Sequence, residues 1–192
     1  MLYFIRNMVC NRCIMVVQQL FESIGYPPVH IELGEVRTEH PIKKEDLDII
    51  KTNLISYGFA MIDDITSVLI DRIKTLVIES IHYRSEPIHE NYSTYIESKL
   101  NKDYTYLSNL FSDVTGSTIE KYIINQKIER VKELLVYDEL TLSEIAYELG
   151  YSSVAYLSGQ FKKVTGLTPG HFKHIKDIKR IPLDEVLPSQ EK

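Results

Sequence analysis

The strongest constraint in this chain is an internal duplication. Tyr106-Leu-Ser-Asn-Leu-Phe111-Ser-Asp-Val-Thr-Gly116 returns at an offset of 50 residues as Tyr156-Leu-Ser-Gly-Gln-Phe161-Lys-Lys-Val-Thr-Gly166, with seven of the eleven positions identical. Two copies are too few for a solenoid, which needs about three repeats to bury a continuous core. They suit a small binding unit used twice. In the second copy Thr141 can cap a helix carrying Leu142, Ile145, Ala146 and Leu149. Gly150 ends it, Tyr151-Ser152 make the turn, and Ser153 caps a second helix that runs to about Thr165. Two short helices meeting across a tight turn form a helix-turn-helix. Ala146 leaves room for the close crossing, and Gly150 supplies the positive φ that the turn needs.

The first copy aligns without a gap. Ser93 to Leu100 form its first helix and Asp103 caps its second, with Ile96 and Leu100 standing where the other copy has Ala146 and Gly150. Ahead of it, Ile65, Leu69, Ile73, Leu76, Val77 and Ile81 recur as the apolar face of another helix. Between the copies, Ile119, Ile123, Ile128, Val131, Leu134 and Leu135 mark a linking helix of about 18 residues, roughly 27 Å long. Two recognition helices held apart by such a strut can enter successive major grooves on one face of DNA, about 34 Å apart.

From about Asp71 to Lys176 this organisation resembles the DNA-binding domain of the AraC/XylS family of bacterial transcription regulators. The resemblance is carried by Ile145-Ala146 through Gly150-Tyr151, by Phe161-Lys162-Lys163, by Gly166-Leu-Thr-Pro169 to Phe172-Lys173, and by the linking-helix phrase Gln126-Lys-Ile-Glu-Arg-Val-Lys-Glu-Leu-Leu135. It implies a partner, double-stranded DNA, and base-facing side chains at matching places in both units. These are Thr105, Ser108 and Asn109 in the first unit and Ala155, Ser158 and Gly159 in the second. Tyr104 and Tyr106 lie at the edge of the first set. Asn109 is the best reader, because an amide can bond bidentately to adenine in the major groove. Gly159 departs from the family, which often has arginine there. The second unit is therefore expected to hold phosphates through Lys162 and Lys163, where the first has Ser112 and Asp113.

The N-terminal part reads differently. Tyr3, Ile5 and Met8 lead as a short strand into Cys10 and Cys13, the chain's two cysteines. Ile14, Val17, Leu20, Phe21 and Ile24 follow at helical spacing to Gly25. Val29, Ile31 and Leu33 alternate up to Gly34, and Glu35 to Glu39 complete a hairpin. A second helix carries Leu47, Ile50, Leu54 and Ile55, and Phe59 to Ile62 make a last strand. The order is βαββαβ, a ferredoxin-like module. A C-x-x-C pair reads first as a metal or redox pair, and soft thiolates suit Cu(I) and Zn(II). Cys13 is expected near a helix N-terminus, which with Arg12 would favour its thiolate.

With Met8, the M-x-C-x-x-C pattern, the element order and Tyr57-Gly58-Phe59 make this segment similar to the heavy-metal-associated domain of copper chaperones and metal-transporting ATPases. That resemblance implies a soft ion held by the sulfurs of Cys10 and Cys13. Asn7 and Val9 depart from the family's usual glycine and threonine. Met8 is expected to pack under the loop rather than bind.

The fold class expected is thus α+β: a ferredoxin-like sensor over 1–64, an all-α DNA-binding domain over 65–180 with helix-turn-helix units at 93–116 and 141–166, and a flexible tail over 181–192. The Asp63-Asp64 junction would couple sensor to DNA domain, either within one chain or through a homodimer sharing one ion. No apolar run reaches the roughly 20 residues that span a bilayer, and no signal-peptide pattern is present, so a cytoplasmic protein with no membrane partner is expected. No catalytic constellation appears, and His82 and His89 near Glu86 and Glu90 read as a polar loop. Two alternatives stay open: a metal-free N-terminal domain that dimerises or binds another ligand, and a metal-trafficking or thiol-redox protein with a helical scaffold.

The formal net charge of −5 argues at first against a nucleic-acid binder. Divided by segment, it is −3 over 1–64, 0 over 65–102, −5 over 103–150 and +3 over 151–192. The second unit and its tail, taken over 151–192, carry the basic charge, so modest nonspecific affinity and reliance on correct docking are expected.

Overall fold

The structure is a computed structural model that describes residues 1–62, 64–84, 91–174, 183 and 186. The chain forms two compact units, Met1–Thr75 and Leu76–Lys192. Asp63, Glu86, His89, Glu90, Lys176 and most of the expected tail lie outside the described residues.

The first unit runs β1 (Leu2–Arg6), α1 (Asn11–Ser23), β2 (Pro28–Glu32), β3 (Glu35–Thr38), α2 (Lys44–Ser56), β4 (Ala60–Ile62) and the start of α3 (Ile65–Ile78). The strands make one antiparallel sheet in the order β2-β3-β1-β4, with Tyr3 opposite Val36 and Ile5 opposite Met61. Strand alternation sends Tyr3, Ile5 and Val36 to one face, where they pack with Val17, Phe21, Ile50 and Leu54 of α1 and α2. Met8 is buried in the same core. The other face carries Arg6 and Glu35, which pair with Asp71 and Arg72 of α3 at 3.0 and 3.1 Å. Burial of Asp71 outweighs the Arg6 guanidinium and raises its carboxyl above the usual range. These ties hold the first turns of α3 to the sheet, so this unit extends past the boundary expected at residue 64.

Three apolar positions assigned to the core from periodicity stand exposed instead: Val29, Ile55 and Ile65. A register shift between Pro28 and His30 bulges β2 and turns Val29 out of the alternation. Ile55 sits one residue past buried Leu54, about 100° further round α2. Ile65 is the first residue of α3 and lies off its buried stripe.

The second unit continues from α3 through a π-helical turn, Glu79–Tyr83, into α4 (Tyr92–Leu100), α5 (Tyr104–Thr115), α6 (Ile119–Tyr137), α7 (Leu142–Glu148), α8 (Val154–Thr165) and α9 (Pro169–His174). Its centre is α6, the linking helix, in which eleven of nineteen residues are buried. The π-helical turn buries His82, so this histidine is not part of a polar loop. Its Nε2 donates to the Oε1 of buried Gln126 at 3.0 Å, and Gln126 in turn donates to the Tyr122 hydroxyl at 3.1 Å and the Leu183 carbonyl at 3.3 Å. Within the expected flexible tail, Leu183 is thereby anchored and Val186 is buried.

The two helix-turn-helix units differ at the turn. In the second, Gly150 takes the positive φ, at 66°; in the first it falls one residue later, on Asn101 at 50°. Asparagine tolerates this conformation because its short polar side chain bonds locally, and Leu100 is freed to extend α4 and bury its side chain. The second unit begins with a capping box: the Thr141 hydroxyl accepts from the Glu144 amide at 3.3 Å, and the Glu144 carboxylate accepts from the Thr141 amide at 2.7 Å. Replacing Thr141 by alanine is expected to cost about 1 kcal/mol. A urea titration would read this as a lower midpoint with an unchanged slope.

Candidate nucleic-acid interface

The two recognition helices, α5 and α8, are built by the same local rules. Asp103 and Ser153 cap them, their side-chain oxygens accepting from the amides of Tyr106 at 2.9 Å and Tyr156 at 3.1 Å. Leu107 and Phe111 in one helix, and Leu157 and Phe161 in the other, lie four apart and are fully buried. Phe111 packs on Tyr122 and Phe161 edge-on against Phe172. At the far ends Thr115 and Thr165 donate back to the carbonyls of Phe111 and Phe161 at 2.7 and 2.8 Å.

With the inward face fixed at i and i+4, the outward face is fixed too. Thr105 and Asn109 are exposed on α5 with Ser108 half-buried beside them, and Ala155, Gly159 and Ser158 repeat that pattern on α8. Exposure runs identically through 104–111 and 154–161. Lys162 and Lys163 are exposed in the last turn of α8, at the places taken by Ser112 and Asp113 on α5. Tyr104 is not a free edge group. Its hydroxyl donates to Glu120 Oε1 at 2.5 Å, and burial together with that carboxylate pushes its phenol up.

The outward face of α8 is also one wall of a groove of about 900 Å³. Ala155, Gly159 and Lys163 line it from α8, and Lys121, Ile124 and Asn125 from α6. A Cβ built on Gly159 meets nothing within 4 Å, so packing does not demand the glycine.

Sequence reasoning missed Lys127. Its Nζ donates to the Leu149 carbonyl at 2.7 Å and lies over the rings of Tyr92 and Tyr151. The duplication carries no trace of this cluster: at the repeat offset Tyr151 matches Asn101 and Tyr92 matches Leu142.

In the other unit, Cys10 stands at the N-cap position of α1 without a side-chain capping bond and Cys13 sits in its first turn, both half-buried, with their sulfurs 3.3 Å apart. The expected thiolate-favouring effect of the helix end does not prevail, because burial pushes the Cys13 thiol up. Among the described residues no group of three or more His, Cys, Asp or Glu is placed to hold a metal ion. Two sulfurs each about 2.3 Å from one ion stand roughly 3.8 Å apart at a tetrahedral angle, so the pair has the right donors for a soft ion after a small outward rotation.

Residues 97–175 match the family described as a helix-turn-helix domain. The helix-turn-helix region is similar to the transcriptional regulatory protein YesN of Bacillus subtilis, 37% identical over 76 residues, which are 38% of this chain and 20% of that one. It is also similar to the Xylose operon regulatory protein of Haemophilus influenzae, 31% identical over 99 residues, 51% of this chain and 26% of the relative. Both relatives are named as regulatory proteins, and the chain spans about a fifth to a quarter of their length. Among solved structures, the C-terminal domain of the two-component response regulator yesN from Fusobacterium nucleatum superposes with a TM-score of 0.47 at 27% identity, covering 54% of this chain and 95% of that one. Among the described residues no helix is long and apolar enough to cross a membrane.

Replacing Gly159 by alanine is expected to stabilise the helix-turn-helix domain by about 0.5–1 kcal/mol, because the new methyl group enters open space and the chain loses a helix-breaking residue. A higher midpoint in thermal or urea unfolding checks it.

Proposed function

We propose that the chain is a sequence-specific transcription regulator of the AraC/XylS type, in which both helix-turn-helix units bind one DNA duplex. The observation that carries this reading is the identical exposure pattern of α5 and α8 on the two sides of one buried helix. The nineteen residues of α6 span about 28 Å, close to the repeat of about 34 Å between successive major grooves on one face of DNA. The first unit offers hydrogen-bonding side chains, Thr105, Ser108 and Asn109. The second offers Ala155 and Gly159, able to meet thymine methyl groups, together with the cations of Lys162 and Lys163.

Selection of bound duplexes from random sequence, followed by a salt series, tests this. Affinity should fall steeply as salt rises. Replacing Asn109 by alanine should cost about 1–3 kcal/mol at one base position and relax the preference there. Replacing Lys163 by alanine should weaken all sequences alike and reduce the salt slope by about 1. Absence of duplex binding by the wild-type chain would sink the reading.

A second reading concerns the N-terminal unit and is favoured by the two sulfurs 3.3 Å apart. The sheet order β2-β3-β1-β4, with both helices packed on one face, supports a ferredoxin-like module. We infer that Cys10 and Cys13 hold a soft ion, Cu(I) or Zn(II), within one chain or shared between two chains in a homodimer. The bound ion would draw off thiol protons that burial otherwise retains. Titrating each metal into wild type and the C10S/C13S variant, while following duplex binding, is expected to shift only the wild type. Equal affinity of both proteins with metal present would overturn metal responsiveness.

A further inference from the structure

Two recognition units can grip one duplex together only if their separation and tilt are held. A buried helix between them fixes the distance along its axis, but not the angle at which each unit leans from it. Lys127, near the middle of α6, supplies contacts to both units at once. Its Nζ donates to the carbonyl oxygen of Leu149 at 2.7 Å. Leu149 closes α7, so this carbonyl is among those that a helix end leaves without a partner of its own. The same ammonium lies 5.2 Å from the centre of the Tyr151 ring and 5.4 Å from that of Tyr92.

The two rings come from different units. Tyr151 stands in the turn between α7 and α8, and its hydroxyl donates to Gln160 Oε1 at 2.7 Å, on the recognition helix itself. Tyr92 is the first residue of α4, the leading helix of the other unit. Burial pushes both phenols up and pulls the Lys127 ammonium down. Burial thus works against the ammonium, and the groups that face it are the Leu149 carbonyl and the two ring faces. Arg130 also reaches from α6, at 3.4 Å to Glu148 and 3.0 Å to Glu133, but Glu148 belongs to the second unit alone.

We propose that Lys127 is the positioning residue that sets the spacing and tilt of the two recognition helices, by gripping the first helix of one unit and the turn of the other with a single ammonium group. This rests on the reading that both units bind one duplex. It also assigns a role to a residue that touches no base.

The test compares wild type with Lys127→Met, which keeps the length and apolar stem but not the charge, and with Lys127→Arg, which keeps a cation. Each full chain is measured on a duplex selected by the wild type, on versions with one or two base pairs added or removed between the halves, and on versions with one half scrambled. Wild type should show a sharp optimum of spacing. Lys127→Met should lose about tenfold on the optimal duplex, give a flattened spacing profile, and match wild type on the half-scrambled duplexes. Lys127→Arg should keep the sharp profile. Tyr92→Leu, which removes one ring and leaves the Leu149 bond, should also flatten the profile, and it decides the matter if Lys127→Met fails to fold. An unchanged profile in Lys127→Met or Tyr92→Leu would overturn the proposal. So would an equal loss on all duplexes, which marks mere destabilisation. Failure of the wild type to bind any duplex would instead bring down the DNA reading beneath it.

Discussion

The C-terminal unit depends on one constraint: α6 is buried on most of its circumference, yet it carries Asn125, Gln126, Glu129 and Lys132 among its buried residues. A polar group taken from water must find partners or lose a large part of the unit's stability. Where the partner lies on another element, the group dictates what may sit beside α6. Gln126 requires His82 on one side and the Leu183 carbonyl on another. Lys132 is neutralised by Glu129 one turn earlier. Lys127 closes the end of α7. Apolar packing alone would let the flanking helices settle in several registers around such a rod. The polar contacts choose among them, which is the general way that buried networks specify one arrangement.

On that axis the same helical hairpin is built twice and given two different surfaces. The inward residues are nearly fixed, Leu107 with Phe111 and Leu157 with Phe161, because they fill equivalent space. The outward residues are free to diverge and have done so. Amide and hydroxyl groups face out from α5, while α8 offers a methyl, a bare backbone and a pair of lysines. A division of labour follows from chemistry alone: hydrogen-bonding groups discriminate base edges, whereas cations hold phosphates of any sequence.

Much of this was legible in the sequence, for reasons that differ by element. The duplication was visible because packing repeats the same inward residues at a constant offset, and caps such as Thr141 and Ser153 announce helix starts. Where periodicity failed, a local event had broken the period: the bulge that expels Val29, and the exposed first residue of α3, Ile65. The αL position moved from the place aligned with Gly150 to Asn101 because Leu100, which stands at the aligned place, is ill suited to positive φ whereas asparagine tolerates it, and repeat alignment alone does not show such a shift. The burial of His82 and the anchoring of Leu183 were out of reach, since both follow from Gln126, far off in sequence. The Lys127 cluster was hidden more deeply. It draws one ring from each unit at positions that are not equivalent, so it belongs to the joining of the copies and not to the copy.

Gly159 brings these threads together. A glycine in mid-helix costs stability, and here no neighbouring atom requires it. Its one structural consequence is to open the groove between α8 and α6, with Lys163 and Lys121 on its walls. Without a side chain at that position, the helix backbone is open to close approach by a partner. Net charge is −5 over 103–150 and +3 over 151–192, so the excess of cations lies with α8 and the residues that follow it. On the proposed reading, attraction to phosphates would come chiefly from Lys162 and Lys163 on α8, and base discrimination chiefly from α5. The lysines would then act as an anchor whose benefit reaches α5 only through α6. Discrimination by Asn109 would thus be only as good as the rigidity with which that helix transmits the anchor's position.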